Sequence, residues 1–196
     1  LKPGTNVALL NMMLYYIIKE QLEDKEFINN RTEGYEDFKQ HILNQDIDEL
    51  EKITGVDKEL VKQAAIAYAT AGNAMSFHGL GVTEHTQGTF TVMLIADLAM
   101  ITGNIGRRGV GVNPLRGQNN VQGAADMGCQ PHQGAGYLDV TNREYHQMYE
   151  SFYHAKLPIH AGYKIPQMYD ASLSNKLKAI WVVGEDMAQT DPNTHK

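Results

Sequence analysis

The chain has 196 residues, of which 42% are hydrophobic and 20% are charged, and its formal net charge is −6. This composition is typical of a soluble globular protein with one domain or parts of two. The negative charge argues against a general binder of nucleic acid or of a membrane surface. The single cysteine, Cys129, excludes a disulfide within the chain and any site built from several cysteines.

Neither a membrane span nor a leader is visible. The longest apolar runs, such as residues 92–96, are far too short to cross a bilayer, and no cleavable leader opens the chain. We therefore expect a cytoplasmic protein without a membrane segment. Because the chain starts at Leu1 and stops in a polar loop at residues 191–196, we also expect a piece of a longer polypeptide.

The first 70 residues predict helices, because their apolar side chains recur at a spacing of three or four. Thr5 or Asn6 can cap the first helix, which runs to about Leu22. Gly55 suits the end of a later helix, and Asp57 suits the start of the next one. The further helices are predicted at residues 26–29, 35–43, 46–53 and 57–69.

The pattern then changes to that of an α/β unit. Residues 73–78 predict a short buried strand, and residues 79–88 form a glycine-containing turn. Residues 89–101 are apolar almost all round, as expected of a helix packed against a sheet, and Gly103 suits its C-terminal cap.

The second half is predicted to be mostly irregular to about residue 140. A helix is predicted at residues 145–154 and a strand at residues 178–183. Residues 184–190 follow the carboxyl end of that strand, where open α/β sheets bind their ligands.

A glycine-rich loop at residues 103–123 carries Arg116 among several carboxamides. Glycines allow the backbone to approach a ligand closely, while the guanidinium and the amides supply donors. This combination favours an anion site. The alternative is that Arg116 satisfies helix-end carbonyls or a surface carboxylate, and that the carboxamides bond the irregular backbone.

Five strings of this sequence resemble the catalytic subunit of formate dehydrogenases in the molybdopterin oxidoreductase family. They occur in the same order and cover nearly the whole chain: PGTNVALLN at 3–11, GLGVT at 79–83, GNIG at 103–106, NPLRGQNNVQGA at 113–124, and GED at 184–186 with QT at 189–190. The resemblance implies Rossmann-like three-layer α/β/α domains. It divides the chain into residues 1–116, ending at the active-site arginine, and residues 117–196, a truncated second cofactor-binding domain.

The resemblance implies that Arg116 anchors formate beside the metal. A guanidinium fork can hold both oxygens of a carboxylate and so orient its C–H bond, which lysine cannot do. Gln118 is predicted beside it, because a residue two positions away points the same way if the backbone is extended.

The same resemblance assigns two segments to the cofactor: first the glycine turn at residues 79–88, and second residues 184–190. Glu84 stands where glutamine is usual, and a carboxylate cannot donate to a phosphate. The alternatives are a tight strand-to-helix turn for the first segment and a helix N-cap for the second. The predicted cofactor-binding residues are Leu80, Gly81, Val82, Glu84, Gln118, Gly184, Asp186, Gln189 and Thr190.

The implied cofactors are molybdenum or tungsten on two molybdopterin guanine dinucleotides, and a 4Fe-4S cluster whose ligands lie outside this chain. The implied partners are formate, the rest of the polypeptide and an electron-transfer subunit. No metal ligand is predicted here, because the histidines lack zinc spacing and Cys129 is interpreted as a small buried hydrophobe. Two residues depart from the family pattern: Ala125 stands where cysteine is common, and His132 stands where asparagine is common. The alternatives are another member of the family, such as a nitrate reductase, and a non-catalytic nucleotide-binding or scaffold module.

Overall fold

The computed structural model describes residues 1–191. Contacts divide the chain into two compact units, Leu1–Asn119 and Asn120–Lys196. Helices dominate, and the two strands pair in parallel, so the predicted α/β class is confirmed. The predicted domains 1–116 and 117–196 concern the family's fold and stay a prediction.

The first unit begins with helices and then forms the predicted strand, turn and helix. The prediction that the strand is buried is wrong, since Met75 and Phe77 are 43% and 60% exposed on a sheet that has only two strands within residues 1–191. The elements of the first unit in chain order are α1 (Asn6–Lys19), α2 (Lys25–Arg31), α3 (Tyr35–Leu43), α4 (Ile47–Thr54), α5 (Lys58–Thr70), β1 (Met75–His78), α6 (Leu80–Thr83), α7 (Gly88–Ile101) and β2 (Gly111–Pro114).

Helix α1 is the centre of this unit and packs against α3, α4, α5 and α7. Its buried side chains include Leu10, Leu14 and Ile17, at the helical spacing that the sequence shows. They form one apolar cluster with residues from the surrounding helices, among them Ile42 and Ile95. Burial of this stripe is what drives the first unit to fold.

Truncating the centre of this cluster should destabilise the chain strongly. Leu14 is 0% exposed, so Leu14→Ala leaves a cavity, and we expect a loss of about 2–5 kcal/mol in the free energy of unfolding. The matched control is Leu60→Ala on α5, since Leu60 is 60% exposed. Urea unfolding followed by circular dichroism measures both, and similar losses for the two variants would contradict this packing.

Short-range capping agrees with the sequence in most places. Asp46 accepts from the backbone N–H groups of Asp48 and Glu49, and Gly55 ends α4 with φ +68°. Asp57 caps α5 in the same way. The expectation for Thr5 is wrong in one respect, because its hydroxyl donates to the carbonyl of Lys2 and caps no helical N–H.

Strands β1 and β2 form a two-stranded parallel sheet, in which Met75 pairs with Gly111 and His78 with Pro114. Helix α7 joins them and ends at Gly103, which has φ +64°. The N–H of Gly103 donates to the carbonyl of Met100, and that of Asn104 to the carbonyl of Ala99. These bonds form a Schellman cap, as the glycine predicts. Strand β2 was not predicted, since it lies inside the glycine-rich loop.

The second unit is built of short helices. Besides a 3-10 helix at Ala135–Tyr137, it contains α8 (Val121–Asp126), α9 (Arg143–Tyr153), α10 (Ile165–Leu173) and α11 (Met187–Thr190). Tyr149 of α9 is buried, and its hydroxyl donates to the carbonyl of Ala135. Helices α8 and α10 were not predicted, although Ile165, Met168 and Tyr169 of α10 recur at helical spacing.

The prediction of a strand at residues 178–183 is wrong for the described structure. These residues form neither strand nor helix. Ile180 and Val182 are 38% and 39% exposed, whereas Trp181 and Val183 are 92% and 82% exposed. This alternation is that of a strand covered on one face. A strand also needs a hydrogen-bonded neighbour, and among residues 1–191 none pairs with this segment.

No helix in the described part of the chain combines the length and the apolar character that crossing a bilayer requires.

Candidate functional site

The carboxyl edge of the β1–β2 sheet brings two of the predicted segments together. The N–H of Leu115 donates to the carbonyl of His78 over 2.6 Å, which carries the pairing one residue beyond β2. A Cβ on Gly79 would stand 3.3 Å from the carbonyl oxygen of Leu115, and one on Gly117 would stand 3.8 Å from Leu80. The glycine turn after β1 therefore lies against the segment that carries Arg116.

The glycine turn contains α6 and the predicted residues Leu80, Gly81, Val82 and Glu84. The N–H groups of Val82 and Thr83 bond the carbonyl of Gly79, so the turn is tightly wound. No heavy atom lies within 4 Å of a Cβ position on Gly81, which leaves bare backbone facing open space. These observations fit both interpretations of the segment, a tight strand-to-helix turn and a cofactor-binding loop, because a tight turn can also present its backbone to a ligand.

Arg116 and Gln118 are both exposed and follow β2 outside any helix or strand. An exposed guanidinium at the edge of a parallel sheet is suitable for holding a small carboxylate. The backbone bends at Gly117 and Gln118. The extended backbone assumed for Gln118 is therefore absent, and its place beside Arg116 stays a prediction.

The third predicted segment, Gly184 to Thr190, belongs to the second unit. Asp186 stands directly before α11, in the N-cap position, but its side chain makes no capping hydrogen bond. The N-cap alternative therefore accounts for the position of Asp186 in the chain and does not account for the role of its carboxylate. The Thr190 hydroxyl donates to Glu185 Oε1 over 3.1 Å, and Gln189 is exposed.

This segment borders a cavity of ≈ 370 Å³, which is large enough to hold part of an organic ligand. Helix α10 contributes Ile165, Met168 and Tyr169 to its wall, and residues 180–183 contribute the opposite side. Glu185 and Thr190 add polar groups at one end. Of the predicted cofactor-binding residues, Thr190 lines this pocket, whereas Gly184, Asp186 and Gln189 do not.

Two carboxamides of the glycine-rich loop contact groups of the second unit, and one of them, Gln122, is hydrogen-bonded there. Gln122 Nε2 donates to Asp126 Oδ1 over 3.0 Å and also contacts the Tyr137 hydroxyl, which itself donates to Asp126 over 2.6 Å. The hydrogen bond from Tyr137, and then that from Gln122, lowers the pKa of Asp126. Asn120 lies so close to Gly123 that a Cβ there would stand 2.5 Å from its side-chain oxygen. These contacts fit the alternative of bonding within the loop.

Sequence reasoning missed His78, the last residue of β1. Its side chain is buried, and its Nδ1 has no hydrogen-bond partner among the described residues. The sequence does show a histidine directly before the glycine turn, which could have marked His78 as a candidate. Its burial could not be predicted, because His78 pairs with β2, a strand that the sequence did not predict.

Cys129 is exposed, so its interpretation as a buried hydrophobe is wrong. It follows α8 in a unit that buries little apolar surface, and no neighbouring element covers it. Within residues 1–191, no three His, Cys, Asp or Glu side chains are grouped so as to hold a metal ion.

Comparison with known proteins identifies the family. The sequence pattern of the molybdopterin oxidoreductase family matches residues 1–196. The chain belongs to this family. The resemblance inferred from the five strings is thereby confirmed, and the Arg116 segment and the glycine turn are parts of a molybdopterin oxidoreductase domain.

Two relatives of this molybdopterin oxidoreductase carry formate dehydrogenase names. The F420-dependent formate dehydrogenase subunit alpha of Methanocaldococcus jannaschii is 47% identical over 97% of this chain and 28% of its own length. Formate dehydrogenase H of Escherichia coli is 43% identical over 97% of this chain and 27% of its own length. The chain thus spans little more than a quarter of these relatives.

Among solved structures, acetylene hydratase from Pelobacter acetylenicus superposes with a TM-score of 0.52 at 30% identity. The match covers 56% of this chain and 15% of that protein. It supports the same α/β architecture for the molybdopterin oxidoreductase domain.

The described residues fit a molybdopterin cofactor. The bare backbone at Gly81 leaves room for a flat heterocycle, and Gln118 supplies both a donor and an acceptor. Glu84 offers an acceptor alone, which suits ring N–H groups and not a phosphate.

Proposed function

We propose that the full-length protein containing this chain is a formate dehydrogenase, and that Arg116 binds the formate carboxylate. The oxidation breaks the C–H bond of formate and yields carbon dioxide, one proton and two electrons. When bound, molybdenum or tungsten on two pyranopterin guanine dinucleotides accepts the electrons, which leave through a 4Fe-4S cluster.

The observation that carries this proposal is the meeting of Arg116's segment with the glycine turn at one sheet edge. Leu115 bonds His78, and Gly117 lies against Leu80, so a substrate held by Arg116 would stand beside the backbone of the turn. The guanidinium would fix the two oxygens in one plane and leave the C–H bond pointing away from them.

Two groups of predicted residues would contact the cofactor. Leu80, Gly81, Val82, Glu84 and Gln118 would contact one part, with Gln118 also near formate. Gly184, Asp186, Gln189 and Thr190 would contact another, with the Asp186 carboxylate accepting from a guanine or pterin amine. This division follows the family resemblance, and of the second group Thr190 lines the cavity beside α10.

Two other functions remain as outcomes of the test. Another oxidoreductase of the family would carry the same scaffold, but the two relatives at 43–47% identity bear formate dehydrogenase names. A non-catalytic nucleotide-binding or scaffold module is the second alternative, since a guanidinium also binds nucleotide phosphates. An electron-transfer subunit as a partner and a cytoplasmic location stay predictions from the sequence.

The direct test is formate-dependent dye reduction. We expect activity from the cofactor-loaded full-length protein and none from the isolated 196 residues, since no metal-ligand group is present in the described part of the chain. Nitrate reduction without formate oxidation would favour the family alternative. If the metal-loaded full-length protein turned over neither formate nor nitrate, the non-catalytic alternative would be favoured. Formate oxidation by the isolated 196 residues would contradict the expectation that this chain needs the rest of the polypeptide for activity.

A further inference from the structure

A buried amide stands where α7 leaves the core. The Asn104 side chain is 1% exposed, and its Oδ1 accepts from the N–H of Ala74 over 3.0 Å and from Arg107 Nη2 over 3.1 Å. Its Nδ2 donates to the Thr102 hydroxyl over 2.9 Å. All its polar atoms are thus used inside the protein, where an unmade hydrogen bond is costly.

Arg107 ties the same place to the chain segment before β1. Its Nη1 donates to the carbonyl of Gly72 over 2.9 Å and also bonds the side-chain oxygen of Asn73. Its Nε donates to the carbonyl of Gly103 over 3.3 Å. We call these two side chains, Asn104 and Arg107, with their bonds to residues 72–74, the strand-entry clamp.

The strand-entry clamp fixes the segment just before β1 to the loop that leads from α7 into β2. Ala74 directly precedes β1, and β2 begins four residues after Arg107. A Cβ on Gly109 would stand 3.1 Å from the Asn73 side chain. The loop between Arg107 and β2 therefore packs closely against the segment before β1. Because the strands are parallel, their opposite ends carry the glycine turn and Arg116.

From this geometry we infer that Arg107 is a positioning residue for Arg116. The pairing of β2 with β1 covers only four residue pairs, so it specifies the register weakly unless one end is anchored. A slip of one residue would move Arg116 by about 3.3 Å along the sheet and turn the side chains of β2 to the other face. The clamp prevents this slip by fixing the entry of β1 to the loop that leads from α7 into β2.

This inference rests on the proposed function, since it assumes that Arg116 binds formate. The test compares Arg107→Met with Arg108→Met in the cofactor-loaded full-length protein. Both changes remove one positive charge from the same loop, but Arg108 is exposed and makes no hydrogen bond or ion pair within residues 1–191. We expect kcat/KM for formate to fall about 100-fold in Arg107→Met, with KM raised, and to stay unchanged in Arg108→Met.

Amide hydrogen exchange supplies a readout that does not depend on activity. Exchange at residues 111–115 should accelerate in Arg107→Met, because the β1–β2 bonds open more often. If Arg107→Met fails to fold, Arg107→Lys keeps one donor and should give a smaller change of the same sign. Asn104→Asp keeps the acceptor for Ala74 and Arg107 and should retain most of the protection, whereas Asn104→Leu should not.

Unchanged exchange at residues 111–115 in Arg107→Met would overturn the inference, even if activity fell. Faster exchange together with an unchanged KM would also overturn it, because the strands would then loosen without displacing the formate site. If Arg116→Lys leaves formate oxidation intact, the proposed role of Arg116 fails, and the exchange data still report separately whether the clamp holds the register.

Discussion

Arg116→Lys in the cofactor-loaded full-length protein should lower kcat/KM for formate by about 10²–10³-fold. Lysine keeps the positive charge but offers a single point donor, so it cannot hold both carboxylate oxygens in one plane. Formate would then bind in many orientations, few of which direct its C–H bond correctly. Initial rates over a range of formate concentrations, normalised to bound metal, measure this effect.

The matched control is Arg108→Lys, which makes the same chemical change at an exposed position of the same loop. We expect it to retain full activity. The cofactor content of both variants should equal that of the unchanged protein, because the backbone of the glycine turn does not depend on either side chain. Full activity of Arg116→Lys would remove Arg116 from the formate site and with it the central support for the proposed function.

Gly103→Ala should destabilise the chain by about 2–4 kcal/mol. Gly103 has φ +64°, where a side chain costs about 1–2 kcal/mol. The new Cβ would also stand 2.2 Å from Asp24 Oδ2, so Asp24 must move. Asp24 caps α2 by accepting from the N–H of Phe27, and loss of such a cap costs about 1 kcal/mol. Urea unfolding of the 196-residue chain measures the sum.

Gly106→Ala isolates the clash from the backbone strain. Gly106 has φ +79°, but no heavy atom lies within 4 Å of its Cβ position, so we expect a loss of only about 1–2 kcal/mol. In an Asp24→Ala background the extra cost of Gly103→Ala should shrink toward that of Gly106→Ala. Equal losses for the two glycines in the unchanged background would show that Asp24 does not crowd Gly103.

Local signals in the sequence were sufficient for the helical part. Asp46, Asp57, Gly55 and Gly103 act at the predicted helix ends, since caps depend on residues within one turn. The prediction was weaker where structure depends on distant partners. Strand β2 exists because β1 lies beside it, and residues 178–183 form no strand because no neighbour pairs with them in the described chain.

For the candidate site, too, some features could be predicted from the sequence and others depended on the packed structure. The sequence alone identified Arg116, the glycine turn and the segment at 184–190, because guanidinium, glycine and carboxylate chemistry can be inferred from residue type. It could not reveal that His78 is buried or that Cys129 is exposed, since burial is a property of the packed chain. Nor could it reveal that Gln122 bonds Asp126 and Tyr137, which lies 15 residues away.

By itself, then, the sequence determined the α/β class, most helix ends of the first unit and the family, all of which depend on local patterns and on the order of short motifs. Only the tertiary structure decided that the glycine turn and the Arg116 segment meet at one edge of the sheet, through the Leu115–His78 bond. It also decided that Asn104 and Arg107 bond the segment just before β1 and so tie it to the loop that precedes β2. These contacts link residues 30 or more positions apart, and only folding of the core brings such residues together.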